Sequence, residues 1–326
     1  MEDRGPQVVV IFTTFLALTW ISVSLRCYVR LRIVRLFALD DWLAVATLVL
    51  YTLFCGFGLD SVGHGGGRHH ADLSRDQIRE GLKDWYFSEI FYVLNSSFLR
   101  LALAAFLLRV AVKKVHRKFI YTLMTIQIVF NVSYLFISIF TCFPPSFFWN
   151  HLMGAKGTCI DAGINKGMTY AQASIAAATD WAFALLPVAM LWDLQMRRKK
   201  KIAVGVLMGI GAIASTAAII RIPYIASVDQ PLDFLYATTD LAIWSAVEPG
   251  LGLSAVCLAA CRPLLDRFKG FGGDGYPTRR GRGRSDGREE EWGRSDFWMQ
   301  DGEERGEWTG SAVAMVRRAE VQGVKK

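Results

Sequence analysis

No alternation of apolar and polar residues runs through the long hydrophobic segments of this chain. That absence excludes a membrane β-barrel, whose strands need a two-residue period. The leader Met1-Glu2-Asp3-Arg4 lacks the basic start of a secretory signal, and no small-x-small site follows the first apolar run. That run is therefore expected to remain as a helix. No internal repeat of solenoid type is present. Lysine is missing from the cores of all the long apolar stretches, and aliphatic residues are scarce between positions 270 and 310. A segment so poor in apolar surface cannot fold by itself.

Seven long apolar stretches are present: Val8 to Tyr28, Trp42 to Val62, Trp85 to Val110, Phe119 to Phe143, Thr169 to Leu194, Ile202 to Ala226 and Tyr236 to Cys261. Each is close to the ~20 residues a helix needs to cross a bilayer. A composition that is 52% hydrophobic and 13% aromatic is too apolar for a water-soluble chain of this size. The expected fold is all-α, a polytopic membrane protein with seven transmembrane helices. Residues 1–263 form the bundle, and 264–326 form a disordered cytosolic tail. Basic residues mark every second loop: Arg26, Arg30, Arg32 and Arg35, then Arg109 to Lys118, then Arg197 to Lys201, then Arg262, Arg267 and Lys269. Positive charge stays in the cytosol, so the N-terminus is expected outside and the tail inside. The net charge of +8 reflects this topology. Arg279-Arg280-Gly281-Arg282-Gly283-Arg284 reads as part of a solvated tail, and no nucleic-acid partner is expected. The expected partners are the lipid bilayer, a small-molecule ligand and a cytosolic signalling protein. The membrane is left open between plasma membrane and endomembrane.

Ionisable residues inside a span cost roughly 2.5–3.5 kcal/mol at the bilayer centre, so they face the bundle interior and pair. At a rise of ~1.5 Å per residue, Arg100, Asp180 and Glu248 fall near the middle of spans three, five and seven. Arg221 and Asp240 fall in the outer third. The sequence thus predicts an outer Arg221/Asp240 tier above a middle Arg100/Asp180/Glu248 tier. In the middle tier a carboxylate is the candidate proton holder or ligand group. Asp240, Trp244 and Glu248 share one face of span seven by their i, i+4, i+8 spacing. These six residues are the candidate binding or charge-cluster residues.

Of the six cysteines, Cys142 and Cys159 fall at an outer loop, an oxidising location, and are expected to form a disulfide. Cys27, Cys55, Cys257 and Cys261 belong to the spans. No metal or cofactor is expected. Cys257 and Cys261 have no further ligands nearby. His64, His69 and His70, set among Gly63 and Gly65-Gly66-Gly67, read as a flexible outer loop without a carboxylate at helical spacing.

Several motifs together carry a family resemblance: Arg26-Cys27-Tyr28-Val29-Arg30, Leu39-Asp40-Asp41-Trp42, Gly65-Gly66-Gly67-Arg68-His69, Cys142-Phe143-Pro144 with Trp149 and Gly157-Thr158-Cys159, Asp180 with Pro187, Leu191 to Met196, Arg221, Trp244 with Glu248, and Arg262-Pro263. In this order they resemble the fungal rhodopsin-domain integral membrane family, which includes Pth-type receptor-like proteins and satratoxin-cluster membrane proteins. The resemblance implies a receptor-like or accessory role in small-molecule sensing or secondary-metabolite biosynthesis, without catalysis. Where that family usually carries a lysine and then a serine in span three, this chain has Arg100 and Ala102. Retinal is not implied, since no span core holds a lysine for a Schiff base. Span three ends Leu107-Leu108-Arg109-Val110, without an acid-Arg-aromatic triplet, and span seven lacks Asn-Pro-x-x-Tyr. The alternatives are an intramembrane acid-catalysed enzyme such as a terpene cyclase, using Asp180 or Glu248 as general acid, and a transporter, for which no inverted repeat is visible.

Overall fold

The computed structural model describes residues 3–111, 113–192 and 233–261, with the separate positions 216, 220, 222 and 223. Most of the expected sixth span, Arg221 in particular, and the expected tail lie outside the described residues. The long helices are α1 (Gly5–Tyr28), α2 (Leu39–Gly63), α3 (Arg75–Val110), α4 (Lys114–Ile139) and α6 (Ala162–Trp192). A short α5 (Phe147–Asn150) lies between α4 and α6, and a short α7 (Phe234–Ala237) precedes α8 (Thr239–Ala260). Among the described residues, five helical segments are long and apolar enough to cross a membrane: Gly5–Val34, Leu39–Gly63, Arg75–Arg109, Lys114–Ile139 and Phe234–Ala260. α6 occupies the place of the expected fifth span.

Local chemistry sets the helix ends. Pro6 sits in the first turn of α1, where its missing N–H costs nothing. α2 begins where the Asp41 carboxylate accepts the Ala38 N–H at 3.0 Å. Asp40 and Asp41 in that first turn also face the positive end of the helix dipole. α3 is opened by a reciprocal box. Ser74 Oγ accepts the Gln77 N–H at 3.3 Å, and Gln77 Oε1 accepts the Ser74 N–H at 2.9 Å. α1 runs on as a π-helical stretch, Val29–Val34, and stops at Arg35 in the left-handed region (φ 53°).

α1 packs against α2 and α8, α2 against α3, α3 against α4 and α8, and α4 against α6. Buried aromatic and aliphatic side chains of α1, α2, α3 and α8, including Phe12, Tyr51, Phe54, Tyr92 and Ala246, form the main core. Other large apolar side chains point outward, among them Trp20, Ile21 and Tyr28 on α1 and Tyr121, Val129 and Phe136 on α4. Faces of this size would be unfavourable in water and suit lipid contact. The chain is therefore a helical membrane protein. Between α4 and α6 the seam is polar: Gln172 Nε2 donates to Asn131 Oδ1 at 2.6 Å, and Thr179 Oγ1 donates to Gln127 Oε1 at 3.0 Å.

Strands β1 (Cys142–Phe143) and β2 (Thr158–Cys159) pair antiparallel, and the Cys142–Cys159 disulfide joins them. The loop they bracket folds back over the bundle. Phe148 stacks on Trp85, Trp149 packs on Tyr86, and Arg79 Nε donates to Asn150 Oδ1 at 2.8 Å. This is the disulfide end of the bundle. The start of α1, the end of α2 and the start of α3 meet there, and the α1–α2 and α3–α4 turns lie at the other end.

Candidate functional site

An arginine inside an apolar helix has to find its counter-charge within the bundle. On α3, Tyr92, Ser96 and Arg100 recur at four-residue spacing and share a face. Arg100 forks onto Asp180 of α6, with Nε to Oδ1 at 2.8 Å and Nη2 to Oδ2 at 2.9 Å. The same Nη2 donates to Glu248 Oε1 of α8 at 3.1 Å, and Nη1 donates to Ser96. Tyr92 donates its hydroxyl to Glu248 Oε2 at 3.2 Å. Arg100 and Glu248 are buried, so one guanidinium joins three helices that are far apart in the sequence. The structure thus brings together Arg100, Asp180 and Glu248. Trp244 is half-buried and takes no part in these hydrogen bonds.

Asp240 stands in the first turn of α8. Arg221 lies outside the described residues, and the partner seen on Asp240 is Arg4, at 2.9 Å and 2.5 Å through its two terminal nitrogens. Arg4 reaches it because its backbone N–H is tied to the Gly67 carbonyl at 3.1 Å, which brings the start of α1 against the glycine loop. A Cβ on Gly67, whose φ is +88°, would stand 2.8 Å from the Gly5 nitrogen, so only glycine fits this approach.

At the opposite end lies a second buried cluster, where charges expected in a loop are enclosed by helices. Arg26 is fully buried, with Nη2 on Asp40 Oδ2 at 2.7 Å and Nε on Asp41 Oδ1 at 2.8 Å. Its Nη1 donates to the Val256 carbonyl of α8 at 3.1 Å. Arg30 stands 3.3 Å from both carboxylates, and Arg109 stands 3.5 Å from Asp40. The available signal was the pairing of Arg26 and Arg30 with two adjacent acids that open the next helix.

At the disulfide end is a cavity of about 50 Å³, lined by α1, α2, α3, α7, α8 and the glycine loop. Apolar walls from Phe12 and Phe54 meet polar groups from Ser88, Glu89, Thr239 and Ser245. Glu89, which sequence reading passed over, accepts the Tyr134 hydroxyl at 3.2 Å. The glycine–histidine loop over this cavity is tied down. His69 stacks on Tyr236 with ring centres 3.9 Å apart, and its Nδ1 lies 3.3 Å from Asp233. The His70 backbone N–H donates to Asp233 Oδ1 at 3.0 Å and holds that carboxyl below its usual range. The remaining cysteines are free thiols; Cys55, Cys257 and Cys261 are buried and Cys27 half-buried.

The family model described as the fungal rhodopsin domain matches residues 25–267. Among curated proteins, the chain is 24% identical over 281 residues to the polyenoic acids biosynthesis gene cluster protein Ba17b of Metarhizium anisopliae, covering 82% of this chain and 76% of that protein. It is 24% identical over 261 residues to Receptor GIN3 of Arthrobotrys oligospora, covering 78% of this chain and 61% of that one. It is also 25% identical over 180 residues to the satratoxin biosynthesis SC1 cluster protein 4 of Stachybotrys chartarum, covering 54% of this chain and 63% of that one. No solved structure matches.

Proposed function

The chain belongs to the fungal rhodopsin domain family, and on that premise we propose that it is a receptor-like or accessory multi-pass membrane protein that senses a small molecule or serves secondary-metabolite production. The observation that carries this reading is the course of α8. Along one helix, Asp240 meets the start of α1, Ala242 and Ser245 line the cavity, Glu248 meets Arg100, and the Val256 carbonyl meets Arg26. The cavity has room for a few waters, far below the ~300–1,000 Å³ of an ordinary small-molecule pocket. A ligand entering between α8 and α2–α3 therefore has to move α8. That movement loads the Arg100 cluster and then the Arg26 cluster at the far end.

The pairing of Asp180 and Glu248 supports this reading over an intramembrane acid catalyst. A general acid of that kind needs a carboxyl kept protonated and aimed at an apolar cavity. Here both carboxylates take hydrogen bonds from one guanidinium. Seven spans, an outside N-terminus and a cytosolic tail from residue 264 complete the proposal. The alternation of basic loops supports it, as does a disulfide at the same end as the start of α1. A partner on the cytosolic side would read the Arg26 end.

The test is a strain lacking the gene, complemented with wild type or with Ser245→Phe, which fills the cavity. With equal amounts of protein in the membrane, the filled variant should reproduce the deletion in metabolite profiles by mass spectrometry and in transcriptional responses. Full complementation by Ser245→Phe would overturn the ligand reading, and turnover of a polyprenyl substrate by the purified protein would overturn the non-catalytic one.

A further inference from the structure

We propose that Asp60, His64 and Asp84 form a binding site for a divalent transition-metal cation of the zinc type at the disulfide end of the bundle. Asp60 lies in the last turn of α2 and His64 caps that helix, its backbone N–H donating to the Asp60 carbonyl at 3.1 Å, which stacks the two residues one turn apart. Asp84 comes from α3, the antiparallel neighbour. The three ligand atoms lie within 4.8 Å of one another, and His64 Nδ1 stands 2.9 Å from Asp84 Oδ2. A tetrahedral ion with bonds of roughly 2.0–2.2 Å to nitrogen and oxygen needs its ligand atoms about 3.3 Å apart. Ligation would draw the three ligand atoms from their present separations of 4.8 Å or less to that spacing.

The charge count favours a dication. With a neutral imidazole the group carries two carboxylates. Nearby Lys83 is engaged by Glu80 at 3.0 Å, and Asp60 makes no ion pair among the described residues. Asp84 is buried while Asp60 is exposed, so the site has one fixed wall and one open to solvent, an entry path for an ion. The donor set of one imidazole and two carboxylates suits zinc better than magnesium, which prefers oxygen ligands and retained water. Binding through Nδ1 places the imidazole proton on Nε2. The site also reverses one expectation from sequence, for Asp60 is a carboxylate at helical spacing from His64. An ion here would pin α2 to α3 beside the glycine loop. This is independent of the ligand proposed for the cavity.

The experiment uses the full chain purified in detergent and stripped with a chelator. Zinc is titrated against a chromophoric indicator, with thermal unfolding as a second readout. The expected result is one saturable zinc per chain, a rise in melting temperature on zinc addition, and at least tenfold weaker binding in Asp60→Asn and His64→Ala. His69→Ala/His70→Ala should bind as wild type does. Asp60 is exposed, so Asp60→Asn keeps the test valid even if Asp84→Asn fails to fold. Equal zinc affinity in wild type, Asp60→Asn and His64→Ala would overturn the proposal. So would loss of binding in His69→Ala/His70→Ala alone, or zinc binding with no thermal shift.

Discussion

The two buried arginine clusters use the same chemistry and differ in how they are wired. At the Arg26 end, two adjacent acids of α2 face Arg26, Arg30 and, more distantly, Arg109. Its main members lie within sixteen positions of one another, from Arg26 to Asp41, so one turn between two helices is enough to assemble it. Among the described residues the Arg100 cluster shows one guanidinium, and its acids lie 80 and 148 positions away. It exists only when α3, α6 and α8 are all in place. The first is a redundant local clamp. The second reports the arrangement of three helices, which is what a receptor-like bundle has to change.

The largest expected effect follows from that reach across three helices. Arg100→Gln leaves the buried Glu248 and the part-buried Asp180 facing a neutral amide, and removing one partner of a buried ion pair costs about 3–5 kcal/mol. Thermal unfolding in detergent, followed by size-exclusion with fluorescence, should show a protein that is poorly recovered or melts far below wild type. Arg26→Gln should cost less, about 1–3 kcal/mol, the scale of lost hydrogen bonds to a charged group. Arg30 remains within 3.3 Å of both acids, which limits the loss. If Arg26→Gln proves as damaging as Arg100→Gln, the contrast between a local clamp and a link across three helices is wrong.

Glu248→Gln sharpens the comparison further. The amide oxygen still accepts from Arg100, Asp180 still holds the fork, and the Tyr92 hydroxyl turns from donor to acceptor for the new amide N–H, so the change is a lost charge and one reversed hydrogen bond. The expected stability cost is about 1 kcal/mol. The signalling or metabolite phenotype should nevertheless move more than it does in Arg30→Gln, because α8 would then be less tightly held to α3. Equal phenotypes in the two variants would remove the assignment of the Arg100 cluster as the element that reads helix position.

The same wiring explains what sequence could reveal. Arg100, Asp180 and Glu248 were legible by depth, because a charge far inside an apolar stretch has few options other than a partner at the same level. The Cys142–Cys159 bridge was legible because both residues bracket one outer loop. Arg26 and Asp40 were not, because rules of topology count basic residues near a span end as loop charges and say nothing of their burial. Arg4 was hidden for a related reason: it precedes the first apolar run, and its link to Asp240 depends on a close approach that only Gly67 permits. The amides Gln127, Asn131 and Gln172 carry no charge, so nothing in a hydropathy reading marked their seam. Asp60 stands four positions before His64, a spacing the expectation of a loop without a nearby carboxylate overlooked, and Asp84 joins them only through the antiparallel packing of α2 and α3.

The smallest expected effect lies at the disulfide end, where the glycine loop is anchored by an exposed acid. Asp233 has its carboxyl pKa lowered chiefly by the His70 N–H, with further help from the His69 side chain. A folded pKa below the unfolded one means that the anchor contributes fully above the unfolded carboxylate value of about 4, and that its contribution is lost as the pH falls through the lower folded value. The side chain is 41% exposed, so solvent screens the interaction and the effect stays small. Melting temperature measured from neutral to acidic pH should therefore show wild type slightly above Asp233→Asn near neutrality, with the two curves converging below about pH 4. The Arg100 cluster should leave no such mark on that difference, since it is intact in both proteins. Curves that coincide at neutral pH as well would mean that the loop is held by His69 stacking on Tyr236 rather than by the carboxylate.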